Sequence, residues 1–549
     1  MTKATRAHRF KGTLTGWGVL TLLGYAGEAS LHPAGFTDGA RAAGLWLRAQ
    51  LLSAPLRDSA ASLLVQLARF LPPVVFLVPA AAAVVVAAVV YLLRRRGGDV
   101  VQRGARLGRP ACGERGALQI GRVSIPHAIE TQHVLLTGST GTGKSLALQG
   151  LVDTLRERAG DRAVVVDPGG ALLARNWRPS DTILNPLDAR SVAWSPLAEM
   201  QAAADADRLA KSLLPDTDGQ DAQQWQLYAQ TIAAAVLQRL RERRGSNTNA
   251  DLVRLLTVAR SDELEVLVAG LPAQTLFDAG AAKMLGSVRA IIGAYLAPYR
   301  FLPPGAGADD AFSLRRWVEQ GRGWLWMPVR ADLATTLRPL VAAWIGELVS
   351  AALALPPDRD RRLWLLLDEL AALGRVQSLS EALTQGRKFG LCACAGVQTV
   401  AQLRGAYGLP GAQTLLSCFS SQLILRAADP ETADWGSRLL GDQQLSRRVK
   451  SEGSSSGGSH SGESEQISIE RVVLPSEIAG LADRRGFLKL AGDGPIVRVE
   501  IPIPPARAEV CPPFVAATAT GAPAPAPAPL APTAVVSSAV TELVERTRS

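Results

Sequence analysis

Cysteine and histidine are scarce in this chain, with five of each in 549 residues. The cysteines form no C-x-x-C pair, and the histidines do not cluster along the sequence. These absences argue against a structural zinc site and against a disulfide framework. Unpaired thiols are typical of a protein in a reducing cytoplasm. The cysteines are Cys112, Cys392, Cys394, Cys418 and Cys511.

Charged side chains are also sparse, at 20% of residues, whereas hydrophobic residues make up 47%. The net charge of +10 is not spread over the chain, because residues 1–125 hold 16 Lys/Arg against 5 Asp/Glu and the remainder holds 43 against 44. Composition therefore does not indicate a basic surface for DNA. The length predicts two or three domains with tails, and the hydrophobic composition predicts a membrane part.

Two N-terminal apolar segments lie within the basic region. Residues 72–93 are an uncharged run of 22 residues, long enough to span a bilayer, and three arginines follow at 94–96. The positive-inside rule places that end and the chain after it in the cytoplasm. A shorter segment, about residues 12–28, is either a second transmembrane helix or a cleaved signal peptide. We predict a membrane anchor over residues 1–97, with two transmembrane helices joined by a small outer-facing loop.

A glycine-rich turn between an apolar run and a helical pattern is the strongest motif in the chain. Glycines let backbone N–H groups converge on a phosphate at the start of a helix, whose dipole favours negative charge. Lys144 is predicted to reach the β- and γ-phosphates, and Ser145 to place its hydroxyl on Mg²⁺. The pattern predicts binding of a nucleoside triphosphate such as ATP. The turn comprises Gly138, Ser139, Thr140, Gly141, Thr142, Gly143, Lys144 and Ser145.

Two carboxylates follow a second apolar run at 363–367. A strand of a parallel sheet that is buried on both faces reads as a continuous apolar run, and its carboxyl end is where such sheets bind ligands. We predict that Asp368 holds Mg²⁺ through water and that Glu369 orients or deprotonates the attacking water. A structural acidic pair that caps a helix is the alternative interpretation.

Two further polar residues stand near strand ends. Gln398 follows a strand-like run at 391–395 and could sense the γ-phosphate through a hydrogen bond. Arg387 precedes that run and could act as an arginine finger on a neighbour's nucleotide in a ring. The alternative for Arg387 is a solvated basic helix end.

Strand-like runs before residue 200 and after residue 320 flank a long helical stretch. This order predicts an α/β nucleotide-binding domain over 98–199 and 321–511, interrupted by an all-α insertion at 200–320. The tract Ser451–Glu465 is rich in serine and glycine and predicts a flexible loop. Residues 512–549 are rich in alanine and proline and predict a disordered tail.

Assembled, these motifs resemble those of the type IV coupling proteins, the TraD-type membrane ATPases related to FtsK- and HerA-like motors. The resemblance covers nearly the whole chain and includes segments that are not general nucleotide motifs. It implies a RecA-like P-loop NTPase domain, a homo-hexameric ring in the bacterial inner membrane, and the roles proposed above for Arg387 and Gln398. It also implies DNA, a relaxase and type IV secretion channel proteins as partners. The matching segments are TGSTGTGKS (137–145), ILNPLDARSVAWSPL (183–197), LDELAALGR (367–375), GRKFG (386–390), the pair Gln398-Thr399 and VVLPSEI (472–478).

The expected function is that of an ATP-hydrolysing DNA pump that links a relaxase–DNA complex to a secretion channel. The alternative is a receptor that recruits protein substrates and uses ATP to gate docking without pumping DNA. A chromosome-segregation translocase is disfavoured because no winged-helix end is evident. A transporter of the ABC type is disfavoured because the sequence lacks an LSGGQ-like signature.

Overall fold

The computed structural model describes residues 100–109, 117–217, 219–243, 247–277, 282–455, 458–505 and 507–517. The structure divides into two compact units. Leu445–Ser468 belongs to the first unit, and the second comprises Val101–Gln444 and the described chain from Ile469 onward. The second of these units contains every residue of the predicted nucleotide site.

A ten-stranded sheet forms the centre of the larger unit. Its strand order is β2-β15-β14-β11-β5-β10-β9-β6-β8-β7. The seven strands from β11 to β7 are parallel, and β14 and β15 extend the sheet with antiparallel pairing. The strands, in chain order, are β1 (Val100–Gly104), β2 (Leu107–Gly108), β3 (Leu118–Ile120), β4 (Val123–Ile125), β5 (Val134–Thr137), β6 (Arg162–Pro168), β7 (Thr182–Ile183), β8 (Leu325–Val329), β9 (Leu363–Leu367), β10 (Leu391–Val397), β11 (Ser421–Leu425), β12 (Asp442–Ser455), β13 (Gly458–Arg471), β14 (Arg485–Lys489) and β15 (Ile496–Glu500).

Helices connect the strands and fill the stretch between β7 and β8. All the regular elements described from Asp205 to Gln320 are helical, so the structure has an all-α part within an α/β sheet domain. The α-helices are α1 (Lys144–Glu157), α2 (Ala171–Asn176), α3 (Asp205–Leu213), α4 (Gln220–Glu242), α5 (Asn249–Thr257), α6 (Ser261–Val268), α7 (Ala282–Leu296), α8 (Leu314–Gln320), α9 (Ala334–Leu353), α10 (Gln377–Gln385), α11 (Val400–Ser417), α12 (Pro430–Leu440) and α13 (Pro475–Ala479).

Apolar cores cover both faces of the parallel sheet. Successive side chains of a strand point to opposite faces, so Leu135 of β5 enters one core while Val134 and Leu136 enter the other. The core on the Leu135 side also contains residues of α9 and of the helices α3 to α7. The core on the opposite face contains residues of α1. This burial on both faces explains why β9 reads as LWLLL in the sequence.

The serine- and glycine-rich tract differs from the prediction of a flexible loop. Its described residues belong to β12 and β13, which are neighbouring strands of one sheet. The hydrogen bonds between strands come from the backbone, so pairing does not require apolar side chains. The prediction failed because it considered side-chain composition alone.

The C-terminal end of the described chain also differs from the prediction. Residues 507–517, which we call the C-terminal strap, run along α2 and the loop after β7. Val510 N donates to Ala174 O over 2.7 Å, and Ala189 N donates to Val515 O over 2.8 Å. Ala517 N donates to Leu187 O over 3.0 Å. The predicted tail boundary at 512 is therefore corrected, because residues 512–517 pair with the domain through their backbone; residues 518–549 lie outside the described part.

The predicted membrane anchor, residues 1–97 with spans at about 12–28 and 72–93, lies outside the described residues. Among the described helices, one, Ala334–Leu353, is long and apolar enough to cross a membrane. Its most apolar window is 67% buried inside the domain, which is the pattern of a core helix.

Candidate nucleotide site

Three strand ends meet at one edge of the sheet. β10 lies between β5 and β9, and its register pairs Val397 with Thr137 on one side and Ala395 with Leu367 on the other. Because the three strands are parallel, the residues that follow them emerge at the same edge. The glycine-rich turn, Gln398 and the acidic pair Asp368-Glu369 are those residues.

The glycine-rich turn has backbone geometry that only glycine adopts easily. Gly141 and Gly143 have φ angles of 77° and 112°. At Gly138 the constraint is space, since an added Cβ would lie 2.8 Å from the Cβ of Leu425. The turn therefore needs these glycines to fold back on itself in front of α1.

Segments distant in sequence hold this turn from outside. Ser139 N donates to Arg426 O over 2.8 Å, and its hydroxyl accepts from Ala428 N over 2.9 Å. On the other side, Arg484 N donates to Thr142 O over 2.9 Å. The loop is thus fixed by the segments that follow β11 and precede β14.

Lys144 is the first residue of α1 and is buried, with 7% of its surface exposed. Its ammonium donates to the carbonyl oxygens of Gly138 and Ser139 within the turn. Burial lowers the pKa of Lys144, while the charges of Glu369 and Asp368 act in the opposite direction. The site therefore places one cation at the centre of the glycine-rich turn and two carboxylates nearby.

Ser145 and Asp368 are in direct contact across the edge. The Ser145 hydroxyl donates to Oδ1 of Asp368 over 3.1 Å and lies 3.3 Å from Oδ2. Burial raises the pKa of Asp368, and the Ser145 hydrogen bond and the Lys144 charge oppose that shift. A hydroxyl and a carboxylate that converge in this way are hard oxygen donors of the kind Mg²⁺ prefers, with water and phosphate oxygens completing the coordination shell.

The described residues contain no cluster of three or more His, Cys, Asp or Glu side chains that could hold a metal ion. A self-contained protein cage for a metal is therefore not part of the described structure. The pair Ser145 and Asp368 fits the other arrangement, in which one or two protein oxygens hold Mg²⁺ together with a nucleotide's phosphates.

Glu369 and Gln398 lie beside the turn. Burial raises the pKa of Glu369, and a hydrogen bond with Gln398 and the charge of Lys144 act against the rise. Gln398 Oε1 accepts from the Thr140 hydroxyl over 3.1 Å. Within the described structure, the buried Oε1 of Glu369 has no hydrogen-bond partner. That orphan acceptor is suited to bind a water molecule at the edge.

Arg387 is not part of this cluster. It lies in a 3₁₀ segment, Gly386–Phe389, that precedes β10, so it stands at the opposite edge of the sheet. Six residue steps of β10, at about 3.3 Å each, separate the two edges by about 20 Å. Its side chain is exposed and has no hydrogen bond or ion pair within the described part of the chain. The structure therefore brings together the other predicted residues and leaves Arg387 apart.

Sequence reasoning missed one carboxylate at the same edge. Asp167 is the second-last residue of β6, the neighbour of β9, and accepts a hydrogen bond from Leu173 N over 2.8 Å. Burial raises its pKa from 3.8 to about 7, and the charge of Asp368 contributes to the rise. The signal was available, because Asp167 follows an apolar run just as Asp368 does. By contrast, nothing local in the sequence marks Arg426 or Arg484 as neighbours of the turn.

Comparison with known proteins agrees with this geometry. The family model for the "Type IV secretion-system coupling protein DNA-binding domain" matches residues 117–502. The bacterial conjugative coupling protein TrwBdeltaN70, in its unbound form, is similar with a TM-score of 0.70 and 35% identity, over 76% of this chain and 97% of that one. The plasmid coupling protein TrwB in complex with ADP and Mg²⁺ has a TM-score of 0.69 and 34% identity, over 76% of this chain and 98% of that one.

Among curated proteins, the coupling protein TraD of Escherichia coli K12 is 29% identical over 411 residues, which cover 73% of this chain. The alignment spans 57% of the length of TraD. The fold is that of an α/β P-loop NTPase with an all-α domain, as the glycine-rich turn and the order of strand-like and helical segments predict. Because the family model covers more than half of the sequence, the chain belongs to the coupling proteins of type IV secretion systems.

Proposed function

We propose that this protein is an ATP-hydrolysing motor of conjugative transfer, which moves DNA from a relaxase complex into a type IV secretion channel. One observation carries the proposal: Lys144, Ser145, Asp368, Glu369 and Gln398, which lie far apart in sequence, meet at one edge of the sheet. Similarity to TrwB in complex with ADP and Mg²⁺ supports binding of ATP and Mg²⁺ at this edge.

In the proposed site, the N–H groups of the turn and Lys144 bind the β- and γ-phosphates. Ser145 and Asp368 would hold Mg²⁺, which would supply positive charge to offset the charge of the phosphate oxygens. The free oxygen of Glu369 accepts a proton from a water molecule as that water attacks the γ-phosphorus. The bond to the bridging oxygen breaks, and ADP leaves with the electron pair. Gln398 donates a hydrogen bond to the γ-phosphate and detects its presence.

Arg387 acts on a neighbouring subunit in this proposal. It lies about 20 Å from its own glycine-rich turn, by the strand rise, and cannot reach its own nucleotide. A guanidinium that is exposed and has no ion pair among the described residues is available to a second chain. A homo-hexameric ring, as in the family resemblance, would place it at the next subunit's phosphates.

DNA is the proposed substrate because the matched family model describes a DNA-binding domain. The proposed contacts are mainly to phosphates and so independent of base sequence. Residues 98–199 and 321–511 form the motor domain in this proposal, and residues 200–320 form the all-α domain. The N-terminal segments anchor the chain in the bacterial inner membrane, with the motor in the cytoplasm.

The test measures ATP turnover by the purified full chain, with the release of phosphate as the readout. Turnover is compared for the chain alone, with single-stranded DNA and with duplex DNA. We expect DNA to raise the turnover rate, and Lys144→Ala to abolish turnover with and without DNA. If a purified relaxase raises turnover and neither form of DNA does, the receptor function replaces the pump. If the wild-type chain hydrolyses no ATP under any of these conditions, the motor proposal is wrong.

A further inference from the structure

His133 has an unusual backbone for its residue type. It immediately precedes β5 and has φ 62° and ψ 155°, in a region of conformational space populated almost only by glycine. Its side chain is almost fully buried, with 1% of its surface exposed. A non-glycine residue persists in such a conformation only when surrounding contacts hold it there.

Both ring nitrogens of His133 are engaged. Nδ1 accepts from Ala393 N in β10 over 3.1 Å, so the ring proton lies on Nε2, which donates to Leu383 O over 2.9 Å. Burial lowers the pKa of His133 to about 4, so the ring is neutral near pH 7 and keeps one donor and one acceptor. The edge-to-face contact with Phe419, at 6.2 Å between ring centroids, fixes the ring plane.

The carbonyl that His133 binds lies in the last turn of α10. The last four carbonyl groups of a helix lack partners within that helix and need caps. After α10 the chain continues directly as the 3₁₀ segment Gly386–Phe389, which carries Arg387. His133 therefore caps the helix end from which the Arg387 segment starts, four residues before Arg387.

The other end of that segment is fixed as well. Asp358 N donates to Lys388 O over 3.0 Å, and Leu363 N donates to Gly390 O over 3.0 Å. Gly390 has φ 78°, and an added Cβ would lie 2.3 Å from Arg361 O. The main chain is thus held on both sides of an exposed arginine, and His133 contributes a holding contact from the residue that precedes β5.

We propose that His133 is a positioning residue for Arg387, which fixes the main chain so that the guanidinium reaches the neighbouring subunit's nucleotide. This inference rests on the proposed role of Arg387 in trans. It also links two sites within one chain, because β5 begins at the residue after His133 and ends at the glycine-rich turn. The position of β5, which carries a subunit's own glycine-rich turn, thereby determines the position of the arginine that the same subunit presents to its neighbour.

Two substitutions separate the two hydrogen bonds of the ring. His133→Asn places an acceptor near the position of Nδ1 and loses the donor to Leu383. His133→Gln places a donor near the position of Nε2 and loses the acceptor for Ala393. We expect the Asn variant to lose about 10- to 100-fold in turnover, as for a catalytic group misplaced by about 1 Å, and the Gln variant to retain most of its turnover. ATP affinity and the mass of the assembly should match wild type in both.

Mixed assemblies supply the decisive readout. Chains with His133→Asn have an intact phosphate loop, and chains with Lys144→Ala have a well-placed Arg387. A mixture should therefore show a higher turnover than either variant shows alone. Equal losses in the Asn and Gln variants, or a loss of ATP affinity in the Asn variant, would overturn the inference. If Arg387→Ala mixtures recover and His133→Asn mixtures do not, His133 alone is wrongly assigned. If Arg387→Ala mixtures also fail to recover, the action of Arg387 in trans is wrong, and this inference falls with it.

Discussion

At the scale of single residues, Glu369 combines burial with an unused oxygen. Its pKa is raised by burial, and its Oε1 has no partner in the described structure. A carboxylate so placed can accept a proton from water, whereas the isosteric amide cannot.

Glu369→Gln should therefore keep ATP binding and reduce turnover by about 10²- to 10⁴-fold, the usual contribution of a general base. Equilibrium binding of ATP and the rate of phosphate release check the two parts separately. Glu319→Gln, at an exposed position on α8, is the matched control and should behave as wild type. Near-normal turnover in the Glu369 variant would remove the general-base assignment.

The raised pKa of Asp167 predicts how the free energy of unfolding changes with pH. The folded protein keeps its proton until about pH 7, whereas the unfolded chain loses it near the ordinary value of 3.8. Between these values the unfolded state binds fewer protons, so the free energy of unfolding falls as pH rises, by at most about 1.4 kcal/mol per pH unit. This term is constant above about pH 7.

Asp167→Asn cannot ionise, so its free energy of unfolding should lack that fall. Relative to wild type, the variant should become more stable as pH rises from about 4 to about 7. Urea unfolding of both proteins at several pH values in that range measures the difference. Parallel curves for the two proteins would show that Asp167 titrates normally in the folded state.

At the scale of elements, the C-terminal strap depends on two adjacent glycines with different surroundings. Gly169 and Gly170 have φ angles of 86° and 73°, so alanine is strained at both. An added Cβ at Gly170 would lie 2.3 Å from Pro513 O in the strap, whereas at Gly169 no atom of the described residues would lie within 4 Å. Comparing alanine at the two positions therefore separates the effect of backbone strain, which both share, from the effect of the clash with the strap, which only Gly170→Ala has.

Gly169→Ala should cost about 1 kcal/mol of stability, and Gly170→Ala should cost a further 1–3 kcal/mol, roughly, because the strap must move. Thermal unfolding measures both costs. Limited proteolysis should cut Gly170→Ala faster within residues 507–517 and leave Gly169→Ala like wild type. Equal cleavage of both variants would mean that the clash is relieved without displacing the strap.

The elements also show how far the sequence alone could lead. The predicted run at 363–367 coincides with β9, and the glycine-rich turn precedes α1 as expected, because local periodicity and glycine placement encode both. The strand order that brings Gln398 between the turn and Asp368 depends on packing between distant segments. The strap and His133 were also missed, since backbone hydrogen bonds and a buried ring leave no periodic pattern in the sequence.

At the scale of the whole molecule, the proposed function assigns Arg387 to the nucleotide of a second chain, because Arg387 lies at the sheet edge away from its own glycine-rich turn. Arg387→Ala should leave ATP binding intact and lower turnover of the assembled protein by about 10³- to 10⁵-fold, the range for arginine fingers. Lys388→Ala removes an equal charge at the next exposed position and should have little effect. Turnover of the two variants at equal assembly, confirmed by mass, checks the prediction.

Mixing Arg387→Ala chains with Lys144→Ala chains should restore part of the turnover, because one chain offers an intact loop and the other an intact arginine. A mixture as inactive as its components would exclude action between subunits. The recovered rate should depend on the mixing ratio, with a maximum near equal amounts.

The core on the Leu135 face runs without interruption from the sheet through α9 into α3, α4, α5 and α7. A close-packed interior of this kind has low compressibility and transmits strain, so we expect the helical part to move together with the sheet. A ring built from such subunits would change shape by tilting each subunit as a solid block. The relative motion would then take place at the contacts between neighbouring subunits.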